Sequence, residues 1–209
     1  MMKILIVDDH AILRKGLIEI LRDHYKDAEF IEAANGIEAL SILRKENLDV
    51  AVLDISMPEL NGIEVLKQSK ALDIKTPILI LSMQDEGQYA LRVLRAGAFG
   101  FLNKDSAPTE LITAINKVLS GKKYISESIA DILAESATSR AVDDQHELLS
   151  DRELQVLIQL GQGKSVSEIG KEIGLSVNTV STYRSRILQK LKLSNNAAII
   201  RYAIDHNLV

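Results

Sequence analysis

Five polar side chains stand at, or just beyond, the ends of apolar runs in the first half of the chain: Asp8, Asp9, Asp54, Ser82 and Lys104. Three carboxylates brought together repel one another, and some would have to bind protons unless a cation joined the group. Mg²⁺ suits such a group, because it prefers hard oxygen ligands in octahedral geometry and usually keeps several waters. A lysine ammonium can bind a phosphoryl oxygen, and a serine adds a hydroxyl. These residue types together predict transfer of a phosphoryl group to a carboxylate nucleophile.

The elements that must position these side chains are strand-like apolar runs that alternate with segments of helical periodicity. The runs span residues 3–7, 28–33, 49–54, 77–82 and 99–103. Several are apolar at every position, which is typical of parallel strands covered on both faces. The pattern predicts an α/β fold with an open, doubly wound, five-stranded parallel sheet, in which ligands bind outside the carboxyl ends of the strands.

Two of the segments between and after the strands have apolar residues at helical spacing. The first segment is predicted to bury Ile12, Leu13, Leu17, Ile20 and Leu21, and the last is predicted to bury Leu111, Ile112, Ile115 and Leu119. Such spacing is expected of helices that pack one face on a sheet.

The net charge changes sign along the 209 residues, which indicates two domains with different partners. It is −4 over residues 1–120, −3 over 121–149 and +3 over 150–209. We expect a first domain over 1–120 and a second, smaller all-α domain over 150–209. Between them, residues 121–149 predict a linker with a short helix followed by a flexible tether.

The residue pattern of 150–209 predicts four short helices. Ser150 with Glu153, and Ser165 with Glu168, fit the capping box, in which each side chain satisfies a backbone amide of the other residue. A tight turn containing Gly174 separates the second and third of these helices, which predicts a helix-turn-helix. The last three helices are expected at about residues 165–173, 177–191 and 195–206. On pattern alone, a four-helix interaction module remains the alternative.

Several classes of protein are disfavoured by composition. The chain has no cysteine, which excludes disulfides, thiolate zinc sites and thiol nucleophiles. The four histidines are too scattered to predict a metal cluster: His10, His24, His146 and His206. No apolar run reaches the roughly 18 residues that a membrane span needs, and the N-terminus meets acid too soon for a signal peptide. We therefore expect a cytoplasmic protein without a membrane partner.

Four motifs in the first domain resemble, in order and spacing, the receiver domain of bacterial two-component response regulators. They are VDDH (7–10), VLDISMPELNG (52–62), ILSM (80–83) and GAFGFLNKD (97–105). The stretch LSDRELQVLIQLGQGKSVSEIGKEIGLSVNTVSTYRSRILQKL (149–191) resembles the LuxR-type DNA-binding domain. This pairing is similar to that of the NarL/FixJ subfamily, and it implies a flavodoxin-like receiver followed by a helix-turn-helix domain.

The resemblance implies that Asp54 accepts a phosphoryl group from a histidine of a sensor kinase. It implies further that Asp9 and Asp54 ligate Mg²⁺ directly, together with the backbone carbonyl of Ser56. Asp8 would act largely through water. The resemblance thus assigns different roles to two adjacent carboxylates.

By the same resemblance, Ser82 and Lys104 bind the phosphoryl oxygens. Phe101 is the implied aromatic switch, which turns inward when Ser82 moves toward the phosphate; a plain core aromatic is the alternative for this residue. Ser56 and Gln84 occupy the two positions that flank the path of the hydrolytic water in receivers. Because both are neutral, neither can act as a strong base, and we expect slow spontaneous dephosphorylation.

The segment LSVNTVSTYRSRILQKLK (175–192) is basic and is predicted to contact duplex DNA. Its apolar residues Val180, Ile187 and Leu191 mark the buried side. The resemblance puts small side chains at the base-facing positions, beside an exposed asparagine: Ser181, Thr182, Ser185 and Asn178. The residues expected to hold the phosphate backbone are basic: Arg184, Arg186, Lys190 and Lys164. A solvated basic stripe without DNA is the alternative.

The last helix is more apolar than packing on one side requires, with Ala197, Ala198, Ile199, Ile200, Ala203 and Ile204. As in the family, it is a candidate dimer surface. We expect phosphorylation to free the DNA-binding domain and to promote a homodimer on double-stranded DNA, with RNA polymerase as a further candidate partner.

Three other functions compete with this interpretation. A phosphatase of the haloacid dehalogenase type also uses an aspartate nucleophile, but it has a second aspartate two residues later, where this chain has Ser56. The C-terminal half could instead bind RNA or protein. A nucleotide-binding sheet is disfavoured because no glycine-rich loop follows the first strand.

Overall fold

The computed structural model describes residues 1–83, 86–138, 145–206 and 208–209, with the side chains of residues 86–88, 135–138 and 147 set aside. The chain divides into two compact units, Met1–Thr138 and Ser139–Val209. The tether predicted in the linker falls mainly on 139–144, which lies outside the described residues, and so does Gln84.

The first unit is built on five parallel strands: β1 Lys3–Val7, β2 Glu29–Ala33, β3 Val50–Asp54, β4 Ile78–Ser82 and β5 Gly100–Asn103. Their order in the sheet is β2-β1-β3-β4-β5. The central strands β3 and β4 are buried at every residue, because helices cover both faces of the sheet. The doubly wound parallel sheet predicted from the sequence is confirmed.

Among the residues that the structure describes, this unit has the helices α1 Ala11–His24, α2 Gly36–Lys45, α3 Gly62–Ala71, α4 Glu86–Ala96, α5 Ala107–Leu119 and α6 Glu127–Thr138. Asn35 and Asn61 cap α2 and α3 by accepting hydrogen bonds from backbone amides of the first turn. The helix predicted in the linker is α6, which packs against α4 within the first unit.

The buried face of α1 differs from the predicted one. Leu17, Ile18 and Leu21 are buried, whereas the side chain of Ile12 is 90% exposed. Ile12 precedes Leu21 by nine residues, which at about 100° per residue puts the two on opposite sides of the helix. The prediction for Ile12 was therefore wrong. In α5, Val118 is buried in place of Leu119.

Gly62 brings the start of α3 against the end of β3. Its backbone N–H donates to the carbonyl of Ile55 at 3.1 Å. A Cβ atom at this position would lie 2.3 Å from the carbonyl oxygen of Asp54, so only glycine permits the approach. This contact fixes the loop that follows Asp54.

The described part of the second unit contains a short 3₁₀ helix, Gln145–Leu148, followed by the α-helices α7 Asp151–Gly161, α8 Val166–Glu172, α9 Val177–Lys190 and α10 Asn196–Asp205. Both predicted capping boxes form, at Ser150 and Ser165, and Ser176 caps α9. Gly174 has φ +67°, a left-handed conformation that favours glycine and turns α8 into α9.

The four helices share one small core. α7 packs against α9 and α10, and α8 packs against α9. Val180, Ile187 and Leu191 are buried, as the spacing in α9 predicts. The second and third helices therefore form the predicted helix-turn-helix, with the opposite side of α9 directed away from this core.

Candidate functional site

Three carboxylates meet where the strand order of the sheet reverses. Asp8 and Asp9 follow β1, and Asp54 ends the neighbouring strand β3. Such a reversal opens a crevice at the carboxyl ends of the strands, which is where doubly wound sheets bind ligands. Asp8, Asp9, Asp54 and His10 each offer one ligand atom, and these atoms all lie within 4.8 Å of one another.

Lys104 joins this group from the residue after β5. Its ammonium lies 2.8 Å from Oδ2 of Asp8 and 3.0 Å from Oδ2 of Asp54. All three side chains are buried. A buried charge is tolerated only when an opposite charge or a metal ion accompanies it. We call Asp8, Asp9, Asp54 and Lys104 the acid pocket.

The electrostatics of the acid pocket are set by burial and by these contacts. Burial raises the pKa of Asp54, and Asp8 raises it further, although the Lys104 ammonium opposes both effects. For Lys104, burial favours the neutral amine, but the two carboxylates outweigh it, so the pKa is raised and the side chain stays an ammonium. The pocket therefore disfavours the ionised form of Asp54, and the Lys104 ammonium partly offsets this effect.

The donor set of the acid pocket fits a divalent cation. Three carboxylates against one ammonium leave two negative charges when all are ionised. The buried Asp54 carboxylate has the Lys104 ammonium and the backbone N–H of Ser56 as polar neighbours. A cluster of hard carboxylate oxygens with excess negative charge is the kind of site that Mg²⁺ prefers.

Ser82 and Phe101 lie beside the acid pocket on β4 and β5. Ser82 ends its strand and is fully buried, and its carbonyl accepts a hydrogen bond from the backbone N–H of Lys104 at 2.8 Å. The ring of Phe101 is also fully buried, and its role as a switch stays a prediction. The parallel register of β4 and β5 thus holds Ser82 and Lys104 at the same edge.

His10 is a residue of this site that the sequence analysis missed. It is the N-cap residue of α1, and its side chain is 71% exposed. Its Nδ1 lies 2.9 Å from Oδ1 of Asp9 and 3.3 Å from Oδ1 of Asp8. The histidines looked scattered as a set of four, but the adjacency of His10 to two strand-end carboxylates was a usable signal.

Arg14 is a second residue that the sequence pattern did not indicate. Its guanidinium donates to the backbone carbonyl of Asp8 at 2.6 Å and to the carboxylate of Glu32 at 2.7 Å. It therefore ties the end of β1 to β2 under the acid pocket. No local pattern could have found it, because an arginine at this point of a helix is usually a solvated side chain.

The predicted DNA-contacting side of α9 is mostly open to solvent. Asn178, Thr182, Ser185 and Arg186 are exposed, and Ser181 and Arg184 are half-buried. We call the four exposed residues the recognition face. Tyr183 and Thr179, which the sequence analysis did not single out, line a shallow cleft together with three of these residues, Asn178, Thr182 and Arg186.

The hydroxyl groups of the recognition face donate to their own helix. Thr182 donates to the carbonyl of Asn178 at 2.9 Å, and Ser185 donates to the carbonyl of Ser181 at 3.0 Å. Each oxygen then presents its lone pairs outward. In this geometry the hydroxyls can accept a hydrogen bond from a base edge without losing the internal one.

Two lysines that were expected on the phosphate backbone have partners inside the second unit. Lys190 lies 2.6 Å from the buried carboxylate of Glu153 and 3.2 Å from the carbonyl of Leu148. Lys164 lies 2.6 Å from the carboxylate of Glu172. These contacts give both lysines a structural role that the sequence analysis did not foresee, and their contact with DNA stays a prediction.

The predicted apolar surface of α10 is divided by the fold. Ile199 and Ala203 are buried in the helical core, whereas Ala197 and Ile204 are exposed and Ile200 is half-buried. The two exposed members are seven residues, or about two turns, apart, which puts them on one side of the helix. Across the described part of the chain, no helix has the length and apolar character needed to cross a membrane.

Comparisons with known proteins match both units. A family model described as the response regulator receiver domain matches residues 4–116, and one described as bacterial regulatory proteins of the luxR family matches residues 147–203. The response regulator UvrY of Escherichia coli (strain K12) is 34% identical over 209 residues, which cover 100% of this chain and 96% of UvrY. The response regulator GacA of Pseudomonas aeruginosa is 30% identical over 210 residues, with 100% and 98% covered.

A solved structure has the same organisation. It is RcsB from Salmonella enterica serovar Typhimurium bound to the promoter rprA in the presence of the phosphomimetic BeF₃⁻. The two chains are 26% identical, with a TM-score of 0.62 and coverage of 97% of this chain and 98% of the other. The chain therefore belongs to the DNA-binding response regulators of two-component systems, in the NarL/FixJ subfamily, with a receiver domain followed by a LuxR-type helix-turn-helix domain.

Proposed function

We propose that a sensor histidine kinase phosphorylates this protein on Asp54 and that phosphorylation controls its binding to DNA. The observation that carries the proposal is the buried contact of Lys104 with both Asp54 and Asp8 at the strand reversal. It holds a carboxylate nucleophile and a phosphate-binding cation in one place. The chain then acts as a transcription regulator in the cytoplasm, where a bacterial chromosome lies.

The transfer to Asp54 is an in-line displacement at phosphorus. A carboxylate oxygen of Asp54 forms a bond to the phosphorus atom of the phosphohistidine, and the nitrogen–phosphorus bond breaks. The electron pair of that bond leaves with the imidazole, which takes up a proton. The nucleophile must be ionised, and the Lys104 ammonium favours that state against the effect of burial.

A magnesium ion is the proposed cofactor of this step. Asp9 and Asp54 would hold it directly with the carbonyl of Ser56, and Asp8 would hold it through water. When bound, the ion neutralises charge on the phosphoryl oxygens. With the positive charge of the ion beside the carboxylates, Lys104, which contacts Asp8 and Asp54 in this structure, would be available to bind a phosphoryl oxygen.

Ser82 and Phe101 are the proposed readout of phosphorylation. The Ser82 hydroxyl binds a phosphoryl oxygen, and the shift of β4 stabilises the Phe101 ring in its buried position. Both residues are fully buried. Because protein interiors are closely packed, a small displacement of Ser82 would change the packing around the Phe101 ring. Hydrolysis is then slow, because Ser56 and Gln84 carry no strong base, and the signal lasts for minutes or longer.

The output is sequence-specific binding of duplex DNA by α9. The recognition face meets base edges, while Arg184 and Arg186 bind phosphates. Phosphorylation makes this domain available and promotes a homodimer through α10, whose exposed residues Ala197 and Ile204 are apolar. RcsB bound to a promoter in the presence of a phosphomimetic is a related chain on DNA, which supports DNA as the target of this one. RNA polymerase is a further proposed partner at a promoter.

Phosphorylation is tested on the full chain with Mg²⁺ and a small phosphodonor such as acetyl phosphate. Phosphate-affinity gels and peptide mapping should find one phosphoryl group on Asp54, none in Asp54→Asn, and an unchanged amount in Asp105→Asn, whose carboxylate is exposed next to Lys104. Labelling that survives in Asp54→Asn would contradict the assignment. A label lost within seconds would contradict slow hydrolysis.

A further inference from the structure

Tyr124 lies between α5 and α6, where the chain leaves the receiver fold and enters the linker. Its backbone N–H donates to the carbonyl of Phe99 at 2.7 Å, and it forms an isolated parallel bridge with Gly100. Gly100 begins β5, the strand that carries Phe101 and ends just before Lys104. The start of the linker is therefore held by its backbone against the edge strand of the sheet.

The side chain of Tyr124 makes a separate contact with α5. The residue is 8% exposed, and its ring belongs to the apolar core of the first unit. Its hydroxyl donates to Oε2 of Glu110 at 2.8 Å. Hydrogen bonds to a carboxylate are shorter and stronger than those between neutral groups. Loss of this hydroxyl would therefore loosen the linker while the ring kept its place in the core.

The carboxylate of Glu110 also meets the loop that holds Lys104. The Ser106 hydroxyl lies 3.3 Å from Oε2 of Glu110 and 3.1 Å from the backbone carbonyl of Asn103. A serine hydroxyl has one proton, so Ser106 shares it between these two acceptors. Asn103 directly precedes Lys104, whose ammonium contacts Asp54. A continuous series of contacts thus joins the acid pocket to Tyr124.

We propose that the hydroxyl of Tyr124 restrains the linker in the unphosphorylated protein and that phosphorylation of Asp54 releases it. Tyr124 is then a positioning residue, since it touches neither the phosphoryl group nor DNA. The chain between the receiver and the DNA-binding domain passes through this segment, so its release reaches the second domain along the chain. The inference rests on the proposed function and adds the contact by which the phosphorylated state reaches the linker.

The shared proton of Ser106 gives this series of contacts two arrangements. When Lys104 binds a phosphoryl oxygen, a displacement of Lys104 also moves the carbonyl of Asn103, the residue before it. Ser106 then donates to Glu110 alone, and it competes with the Tyr124 hydroxyl for one carboxylate oxygen. Groups with two discrete arrangements are those that can couple separated sites.

The test measures affinity of the full chain for a duplex selected from random DNA, before and after phosphorylation with acetyl phosphate. Before phosphorylation, Tyr124→Phe should bind about fivefold more tightly than the wild type, because the restraint is already lost. Phosphorylation should then raise its affinity by less than about threefold, against about tenfold or more in the wild type. Phosphate-affinity gels should show equal labelling of Asp54 in both chains.

Tyr25→Phe is the matched control. It removes a hydroxyl that also contacts a side chain of α5, since Tyr25 donates to Oδ1 of Asn116 at 2.8 Å. This variant should behave as the wild type does in both states. General damage to the receiver would not raise the affinity of the unphosphorylated chain, so a gain confined to Tyr124→Phe identifies the restraint.

Variants of Glu110 test whether Tyr124 acts through this carboxylate. Glu110→Gln keeps an oxygen acceptor and should stay close to the wild type, whereas Glu110→Ala should match Tyr124→Phe. The double variant of Glu110→Ala with Tyr124→Phe should bind no more tightly than either single variant, because both remove one bond. Gains that add in the double variant would overturn the inference.

Hydrogen exchange of residues 122–133 gives a readout that does not involve DNA. Phosphorylation should speed exchange there in the wild type, and Tyr124→Phe should already exchange fast before phosphorylation. An unphosphorylated Tyr124→Phe chain with wild-type exchange and wild-type DNA affinity would overturn the inference and leave the proposed function intact. A wild-type chain that is fully labelled on Asp54 without a rise in DNA affinity would contradict the proposed function, and this inference with it.

Discussion

The acid pocket and the recognition face both depend on polar groups, but the two regions use them in opposite ways. In the acid pocket, the side chains of Asp8, Asp54 and Lys104 are buried together, with Lys104 within 3.0 Å of both carboxylates, whereas Asp9 is exposed. On the recognition face, the polar residues come from one helix and are exposed. Removing one member should therefore be costly in the first region and mild in the second.

The difference in burial also suits the two regions to different tasks, chemistry in the acid pocket and DNA binding on the recognition face. Buried groups at fixed distances suit chemistry, because the low dielectric strengthens every interaction and the geometry is preset. Exposed groups on a helix suit binding to a large charged partner, where each phosphate contact adds a small, salt-dependent amount. On the function proposed above, the first domain carries out phosphotransfer and the second recognises DNA.

Lys104→Met should have the largest effect. It leaves Asp8 and Asp54 buried without their cation, which costs about 3 to 5 kcal/mol for a broken buried ion pair. Urea unfolding of the full chain should show this loss in the transition of the unit Met1–Thr138. Lys122→Met, at an exposed position of the same unit, should change the free energy of unfolding little. If the two variants unfold alike, the pocket does not depend on Lys104 for its stability.

Glu153→Gln should cause the second-largest loss of stability. It should also make the stability of the second unit depend less on pH in the acidic range. Burial would raise the pKa of Glu153, but Lys190 and the backbone of Ser150 outweigh it, so the pKa is lowered. A lowered carboxyl pKa contributes stability above the unfolded-state value of about 4.3, and this stability is lost as pH falls through the folded-state pKa.

At pH 7, Glu153→Gln should cost about 1 to 2 kcal/mol, since it removes the charge that pairs with Lys190, whereas the glutamine oxygen can still accept the capping hydrogen bond from Ser150. Hydrogen exchange of α7 peptides in the full chain measures the loss. Glu168→Gln is the matched control, because it makes the same change in an exposed capping box and should open α8 less. Equal exchange in α7 of the wild type and Glu153→Gln at pH 7 would contradict the prediction.

Arg14→Met should have an intermediate effect that reaches the acid pocket indirectly. It removes the donor to the carbonyl of Asp8 and the link to Glu32, at a cost of about 1 kcal/mol. Because the end of β1 then moves more freely, Mg²⁺ affinity should fall several-fold while the fold persists. Lys15→Met, an exposed neighbour, should leave Mg²⁺ affinity unchanged. An unaltered affinity in Arg14→Met would limit Arg14 to a structural role.

Arg186→Ala should have the smallest effect on stability and a uniform effect on DNA. As an exposed phosphate contact, it should weaken binding to every duplex by a similar factor and lower the salt slope by about 1 per subunit. Fluorescence anisotropy at several salt concentrations measures both quantities, with Lys123→Ala in the receiver as the control. A loss confined to one DNA sequence would instead assign Arg186 to base recognition.

The sequence predicted the parts of the fold that local patterns determine. Fully apolar runs gave the buried strands, and the serine–glutamate pairs gave the capping boxes at Ser150 and Ser165. The strand-end positions of Asp8, Asp54 and Lys104 were enough to predict their convergence, since parallel strands end at the same edge. The prediction that Ile12 is buried was wrong. Its spacing to Leu13 and Leu17 resembled one apolar helix face, but the face of α1 that packs on the sheet does not include Ile12.

The side-chain partners that were not predicted lie far apart in the sequence, and local residue patterns do not indicate such contacts. Lys190 reaches Glu153 across 37 positions, so its charge looked available for DNA. Arg14 reaches Glu32 on another strand, which no motif marks. His10 was visible beside Asp9, but its proximity to Asp54 follows only once β1 and β3 are neighbours.

The central claim is that phosphorylation of Asp54 controls DNA binding, and affinity for duplex DNA before and after phosphorylation tests it most directly. A binding site selected from random duplex DNA is titrated with the full chain, with and without Mg²⁺ and acetyl phosphate, at one salt concentration. The account predicts that affinity rises about tenfold or more in the wild type and in Asp105→Asn, with a dimer on DNA by sedimentation, and not in Asp54→Asn. An equal rise in Asp54→Asn, or no rise in a wild-type chain that is fully phosphorylated on Asp54, would contradict it.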